Sequence, residues 1–194
     1  LPPFKPGQYI TVHIDHPHTP TSPRNYSLSD CVSQPHYRIS VKREERLAAD
    51  APDGLISNHL HDAIEVGHRI ELGPPCGEFT IDPTTVASPI VLIAGGIGVT
   101  PLLSMAKSLI DANPNASVHF IHAARNSKVQ AFADELRRLA QAGPNVNVKV
   151  IYDAPLPDDV EGGKCDEAGF VTTRLLRDWT PFSDADFFFC GPKP

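Results

Sequence analysis

Pro89-Ile90-Val91-Leu92-Ile93-Ala94, then Gly95-Gly96-Ile97-Gly98-Val99-Thr100, then Pro101-Leu102-Leu103-Ser104-Met105-Ala106 is the stretch on which the reading of this chain turns. The first piece is a continuous aliphatic run of strand length, suited to a buried parallel strand. The second is a glycine-rich turn. The third opens with Pro101, placed at the first helical position, where a missing N–H costs nothing; the helix is expected to reach about Ala112. Strand, glycine turn and helix in this order make a phosphate cradle. Glycines let the backbone approach a pyrophosphate, and the helix N-terminus offers unpaired N–H groups and positive partial charge. The dinucleotide fingerprint wants a third glycine where this chain has Pro101, so the pattern is incomplete. A glycine turn alone is often only a tight turn; the flanking strand and helix point to nucleotide binding.

The 194 residues suffice for one large or two small domains, each with a core. The apolar content of 41% is ordinary for a globular protein. A net charge of −6 without any basic block argues against a nucleic-acid partner. No apolar run approaches the roughly 18 residues of a membrane span, and the N-terminus carries no secretory pattern. Cys31, Cys76, Cys165 and Cys190 include no C-x-x-C pair. That excludes an iron–sulfur or zinc site built from local pairs and gives no disulfide framework, so the expected compartment is the cytoplasm. The nine histidines are scattered, and His59 and His61 are too close in sequence to share a helix face. No metal site is expected.

Residues 1 to 84 read as a small antiparallel β-barrel domain. Gln8–Ile14, Arg24–Ser29, His36–Val41, Arg69–Leu72 and Glu78–Ile81 are expected strands, Asp15–Pro23 a loop, and Gly54–Ala63 a short helix. Arg24-Asn25-Tyr26-Ser27 puts Arg24 and Tyr26 on one strand face, with Asn25 and Ser27 on the other. An arginine fork suits a phosphate and a tyrosine suits a flat ring; a surface arginine beside a cross-strand tyrosine would look the same. Asp53-Gly54-Leu55-Ile56-Ser57 opens a helix whose free N–H groups suit an anion, though any capped helix start shares that pattern.

At these residues the chain resembles a known family. Pro6-Gly7-Gln8-Tyr9, Arg24-x-Tyr26-Ser27-Leu28-Ser29, Gly54-x-x-Ser57, Gly77-Glu78-Phe79, the Gly95–Pro101 turn and Cys190-Gly191-Pro192 occur in the order used by ferredoxin–NADP reductase-like flavoenzymes. Val41-Lys42-Arg43-Glu44-Glu45, Ser57-Asn58-His59-Leu60-His61 and His122-Ala123-Ala124 look like the reductase half of the flavohaemoglobins, which are nitric oxide dioxygenases. The resemblance implies that Arg24 and Asn25 lie at an FAD site, Arg24 on the pyrophosphate. It implies that Tyr9 and Tyr26 touch the flavin region and that Ser27 hydrogen-bonds near N5. Lys42, Arg43 and Glu44 would lie on the adenine side, and Gly54, Leu55, Ile56 and Ser57 would meet the pyrophosphate. The family's first strand and its terminal flavin-covering segment have no counterpart in these 194 residues. On that basis the piece alone is expected to bind FAD poorly and not to catalyse nitric oxide dioxygenation.

Residues 85 to 194 read as an α/β parallel-sheet domain. Strands are expected at Ile90–Ala94, Val118–Ala123, Val146–Tyr152 and Asp186–Cys190. Helices are expected at Pro101–Ala112, Gln130–Gln141 and Thr172–Trp179, with Glu135, Arg137 and Arg138 solvated and Pro155–Glu167 a long acidic loop. Ligands bind beyond the carboxyl ends of such strands, which would gather Gly95, Arg125, Cys190, Gly191 and Pro192 on one rim. By itself a cysteine ending an apolar strand is a small core residue; the resemblance instead places Cys190 at the nicotinamide, orienting it rather than acting as a nucleophile.

The combined expectation is a flavin reductase. NAD(P)H docks on the second domain and passes hydride to FAD on the first, and electrons then leave singly, toward the haem of an N-terminal globin domain if the closer resemblance holds. A reductase feeding an iron–sulfur protein or oxygenase is the rival enzyme, and a redox-silent nucleotide-binding module the rival of another class. Arg125-Asn126-Ser127-Lys128 stands where an NAD-selective site would carry a carboxylate, so both NADH and NADPH are expected to serve.

Overall fold

The computed structural model describes residues 1–14, 23–46 and 53–192; residues 15–22 of the expected Asp15–Pro23 loop lie outside the described residues. The first unit is built on β1 (Tyr9–His13). It pairs antiparallel with β2 (Arg24–Ser27), Tyr9 opposite Ser27 and Val12 opposite Arg24. On its other side lies β3 (Glu71–Leu72), giving a three-stranded sheet of order β2-β1-β3. The alternation of β1 puts Ile10 and Val12 on one face. There they form a small core with Ile14, Leu28 and Ile56, the last from helix α1 (Leu55–Asp62).

Two expected strands do not form. Over 36–41 the ladder among the described residues is reduced to an isolated bridge between Leu28 and Ile39, beside which the Ser29 N–H donates to the Arg38 carbonyl at 2.9 Å, while the Arg38 side chain reaches Asp30 and Glu135. Residues 78–81 are irregular because their apolar side chains serve a different neighbour. Ile81 enters the core of the second unit, and Phe79 meets Phe188 edge-on with ring centroids 6.0 Å apart.

The second unit is a five-stranded parallel sheet of order β7-β6-β5-β4-β8. Its strands are β4 (Ile90–Gly95), β5 (Val118–Ala124), β6 (Val146–Tyr152), β7 (Glu167–Ala168) and β8 (Asp186–Cys190). Strand β4 is buried on both faces, as its unbroken apolar run requires. Ile90, Leu92 and Ala94 pack under α2 (Val99–Ala112) and α3 (Ala133–Ala140). Val91 faces Ile121, Ile151 and Leu175, the last on α5 (Thr173–Trp179).

Three boundaries differ from expectation. Helix α2 begins at Val99 and Pro101 is its third residue, still within the turn whose N–H groups have no intrahelical partner. Helix α3 begins at Ala133 rather than Gln130, since Phe132 is held in the left-handed region at φ 60°. The expected acidic loop contains α4 (Pro157–Glu161) and leads into β7. Pro157 at the first helical position, with Asp159 accepting a hydrogen bond from the Leu156 N–H at 3.1 Å, makes that helix start.

Candidate functional site

On the first unit, β2 alternates as its sequence demands. Arg24 and Tyr26 share the face of the Ile10–Leu28 core, on which α1 also packs through Ile56. Asn25 and Ser27 lie on the opposite face with Thr11 and Tyr9, and Thr11 Oγ1 donates to Asn25 Oδ1 at 2.9 Å. The two tyrosines therefore flank the sheet. Burial raises the Tyr26 phenol above its ordinary pKa, against the opposing pull of the Arg24 charge. Arg24 is exposed, and among the described residues no carboxylate pairs with it.

The N-terminus of α1 lies beside this face, and the loop 42–44 is bound to it. The Gly54 N–H donates to the Glu44 carbonyl at 2.9 Å and Asn58 Nδ2 donates to the same oxygen at 3.0 Å. Ser57 Oγ accepts from the Glu44 N–H and donates to the Gly54 carbonyl. A Cβ on Gly54 would stand 2.7 Å from Ser57 Oγ and 2.8 Å from Glu44 Cβ, so only glycine fits. Arg43 is committed to Asp62 at 2.6 Å and to Asn58 at 2.8 Å, and Lys42 to Glu44 at 3.3 Å. A shallow groove of about 360 Å³ follows one side of α1 from Asp53 and Gly54 at its start past Asn58 and His59 to Asp62 and Ala63 at its end. The amides of Leu55, Ile56 and Ser57 have no intrahelical acceptor and leave a positive end for an anion.

On the second unit, β4 lies between β5 and β8, so the direction of the strand order reverses at its carboxyl end. Such a reversal opens the crevice in which open α/β sheets bind ligands. There Gly95 leads into a single 3-10 turn, Gly96–Gly98, and then into Val99, Thr100 and Pro101 of α2. Gly96 has φ +51°, and a Cβ on Gly98 would lie 2.2 Å from the Cys190 carbonyl oxygen. A Cβ on Gly95 would lie 3.1 Å from Pro192 Cδ and 3.3 Å from Gly191 Cα. The glycine turn and the Cys190-Gly191-Pro192 segment thus interlock backbone to backbone, bringing together two motifs nearly a hundred residues apart. Cys190 is half-buried, and burial pushes its thiol up, which disfavours the thiolate. Ile97 stands exposed at the tip of the turn, and Thr100 Oγ1 donates to its carbonyl at 3.0 Å.

Behind this rim lie two buried polar residues: His122, which the sequence singled out only as part of the His122-Ala123-Ala124 resemblance, and Asp159, which it did not single out. His122 is fully buried, and its Nε2 lies 3.2 Å from the Gly96 carbonyl. That oxygen only accepts, so Nε2 carries the proton, and Nδ1 has no partner among the described residues. Burial lowers the His122 pKa, partly opposed by the Gly96 bond. Asp159, with a side chain 0% exposed, accepts from the Ser127 and Leu156 N–H groups at 3.1 Å and pairs with Lys164 at 3.3 Å. Burial alone would raise its pKa; these bonds together hold it far below the usual carboxylate range. It ties the loop after Arg125 to the start of α4. Arg125 itself is exposed at the end of β5, its carbonyl bound by the Ala154 N–H at 3.0 Å. The signals in the sequence were, for His122, its place inside an apolar strand and in the His122-Ala123-Ala124 resemblance, and, for Asp159, its position two residues after a proline. Glu135 was expected in solvent; its side chain is 19% exposed and paired with Arg38 and Lys107, because α3 turns it toward the first unit.

Residues 3–81 match the oxidoreductase FAD-binding domain family and residues 92–194 the oxidoreductase NAD-binding domain family. A flavohemoprotein of Rhodopirellula baltica is 84% identical over 194 residues, all of this chain and 48% of that protein. One from Rhizobium meliloti is 42% identical over 192 residues, 98% of this chain and 47% of that protein. The chain spans about half the length of the curated relatives it matches. Among solved structures, the flavohem-like FAD/NAD-binding domain of nitric oxide dioxygenase from Vibrio cholerae superposes with a TM-score of 0.84 at 32% identity, covering 99% of this chain and 76% of that one. The flavohemoglobin of Malassezia yamatoensis, with bound FAD and heme, superposes with a TM-score of 0.76 at 26% identity, covering 99% and 46%.

Proposed function

Because the chain belongs to the oxidoreductase family that joins an FAD-binding domain to an NAD-binding domain, we propose that it is the reductase module of a flavohaemoprotein, divided near residue 84. The observation that carries the reading is the interlocked pair of motifs at the strand reversal, Gly95–Pro101 against Cys190–Pro192, on a sheet whose partner unit offers an anion-binding helix start. Bound FAD would supply the conversion of a two-electron hydride donor into single electrons. The protein's part is binding, orientation and exclusion of water. Arg24 and the first-turn amides of α1 fit a pyrophosphate, and the tight Gly54 corner is a cradle that any side chain would fill. Lys42, Arg43 and Glu44 brace that helix start. Tyr9 and Tyr26 offer flat surfaces on either side of the sheet, and Ser27 offers a hydroxyl that makes no hydrogen bond to another described residue. The amides at the start of α2 would receive the pyrophosphate of NAD(P)H, with Cys190, Gly191 and Pro192 admitting and orienting its ring.

On this reading the electrons pass to the haem of an N-terminal globin domain and serve the conversion of nitric oxide to nitrate. The supporting observation is that the flavohemoprotein relatives are about twice as long as this chain. The four cysteines, none disulfide-bonded, favour the cytoplasm, and no helix among the described residues is long and apolar enough to cross a membrane. A flavin absorbance spectrum of the purified protein, followed by its bleaching with NADH or NADPH under anaerobic conditions, tests the reading. With FAD supplied in excess, a flavin that neither NADH nor NADPH bleaches would favour a redox-silent nucleotide-binding module. Both nicotinamide cofactors should serve, since Arg125 replaces the expected carboxylate; an NADH preference in kcat/KM above about a thousandfold goes against that role.

A further inference from the structure

The two units meet along α2, and their joint has an apolar half and a charged half. In the apolar half a Cβ on Gly7 would strike the Phe79 carbonyl oxygen at 2.2 Å and Met105 Cε at 2.5 Å, so the first unit lies directly on the helix. In the charged half four side chains form a closed ring of alternating sign. Arg38 lies 3.1 Å from Asp30 and 3.0 Å from Glu135; Lys107 lies 3.0 Å from Asp30 and 2.6 Å from Glu135. Arg38–Glu135 and Lys107–Asp30 cross the joint. The carboxylates are largely sheltered, with side chains 11% and 19% exposed, so salt screens the ring less than a surface pair. Ser104 Oγ donates to the Asp30 carbonyl at 2.7 Å, and the Val32 N–H donates to Ser108 Oγ at 3.2 Å. Ser104, Lys107 and Ser108 share one face of α2 by their spacing.

We propose that this ring fixes the distance between the flavin and pyridine-nucleotide sites, which makes Lys107 and Glu135 positioning residues for hydride transfer; the proposal rests on the reductase reading above. Both sites are wired to it. Asp30 follows Ser27 by three residues on one unit. On the other, Lys107 lies about 12 Å along the same rigid helix from Val99, at 1.5 Å per residue. Apolar contact between Gly7, Phe79 and Met105 holds the units together but tolerates sliding, because burial is non-directional. The ring does not, and the Ser104–Asp30 and Val32–Ser108 hydrogen bonds beside it act with it: sliding breaks the cross-joint ion pairs and leaves charges facing the wrong partners. Hydride transfer needs reacting atoms about 3–3.5 Å apart, and a misplacement of about 1 Å originating far from the chemistry costs about a hundredfold.

The experiment uses the FAD-loaded protein with Lys107→Met, Glu135→Gln and the conservative Lys107→Arg. The readouts are the first-order rate of flavin reduction at saturating NADH, the NADH KM, and amide exchange at Val32. Lys107→Met and Glu135→Gln should slow flavin reduction about tenfold or more, leave KM within about threefold, and speed exchange at Val32; Lys107→Arg should stay close to wild type. Faster exchange at Val32 with an unchanged reduction rate overturns the proposal and leaves the ring merely structural. Unchanged exchange and rate overturn it as well. A wild-type flavin that neither NADH nor NADPH reduces overturns the reductase reading, and this proposal with it, before any variant is compared.

Discussion

Ser27 lies half-buried on the sheet face opposite the Ile10–Leu28 core, directly across the ladder from Tyr9. Removing its hydroxyl leaves the β2 backbone pairing intact, so Ser27→Ala should slow hydride transfer far more than it weakens FAD binding. Stopped-flow flavin reduction at full FAD occupancy is the measurement; an unchanged rate removes Ser27 from the site. The Arg-x-Tyr-Ser motif is enough to single this residue out. His122 was equally present in the sequence, but nothing in a strand of apolar neighbours says which atom a histidine meets. Its bond to Gly96 joins two strand ends that lie side by side only after the sheet has formed.

The turn between β4 and α2 contains two glycines with different reasons to be glycine, and substitution separates them. Gly98→Ala places a Cβ against the Cys190 carbonyl, a backbone atom that cannot step aside. Overpacking of that kind costs about 1–3 kcal/mol, and it displaces the Cys190–Pro192 segment. Gly98→Ala should therefore lower the midpoint of denaturant unfolding and raise the NADH KM. At Gly96 no atom lies within 4 Å of an added Cβ and only φ +51° stands against alanine, which costs about 1–2 kcal/mol. Gly96→Ala should thus leave the Cys190 segment in place and disturb KM less. A Gly98→Ala protein with wild-type midpoint and KM would show that the two motifs do not press on each other. The strand, both glycines and the gathering of Gly95 with Cys190 on one rim were legible from the sequence; the backbone contact of Gly98 with Cys190 was not, since a shared rim does not say which strand lies directly beside β4.

At the scale of the whole molecule, acid should loosen the joint between the units. Burial pushes the Asp30 carboxyl up. Hydrogen bonds from Lys107 and from the Cys31 N–H, with the Lys107 and Arg38 charges, together outweigh it and leave its pKa below the ordinary carboxylate value. A carboxyl whose folded pKa is depressed stabilises the fold fully above the unfolded pKa of about 3.9, and that contribution fades as pH falls through the lower folded value. Asp30→Asn should therefore lower the melting temperature at pH 7. The gap to wild type should begin to narrow below about pH 4 and close only once pH has fallen through the lower folded value, where wild type also loses the charge. A gap that persists undiminished in acid would mean that Asp30 acts through shape rather than charge.

The sequence by itself determined strands β4, β5, β6 and β8 and helices α2, α3 and α5 of the second unit, but not α4 or β7, together with the helix at 55–62 and the family. Each of these is written in local order: an unbroken apolar run for a doubly covered strand, alternation for β1 and β2, glycine and proline at the turns. Where local pattern and tertiary demand disagreed, the pattern lost. Residues 78–81 alternate like a strand, yet Phe79 and Ile81 go to the second unit, because burying those side chains across the joint leaves no neighbouring strand for a ladder. Glu135 reads as a solvated helix charge, yet two cations from different parts of the chain converge on it. The tertiary structure alone decided the charged ring, the seat of His122 under the glycine turn and the anchoring of the Arg125 loop by Asp159. The physical reason is the same in each case: a charge or a buried polar atom is stabilised by whatever partner folding brings within about 3 Å, and a linear sequence records the partners without recording their distances.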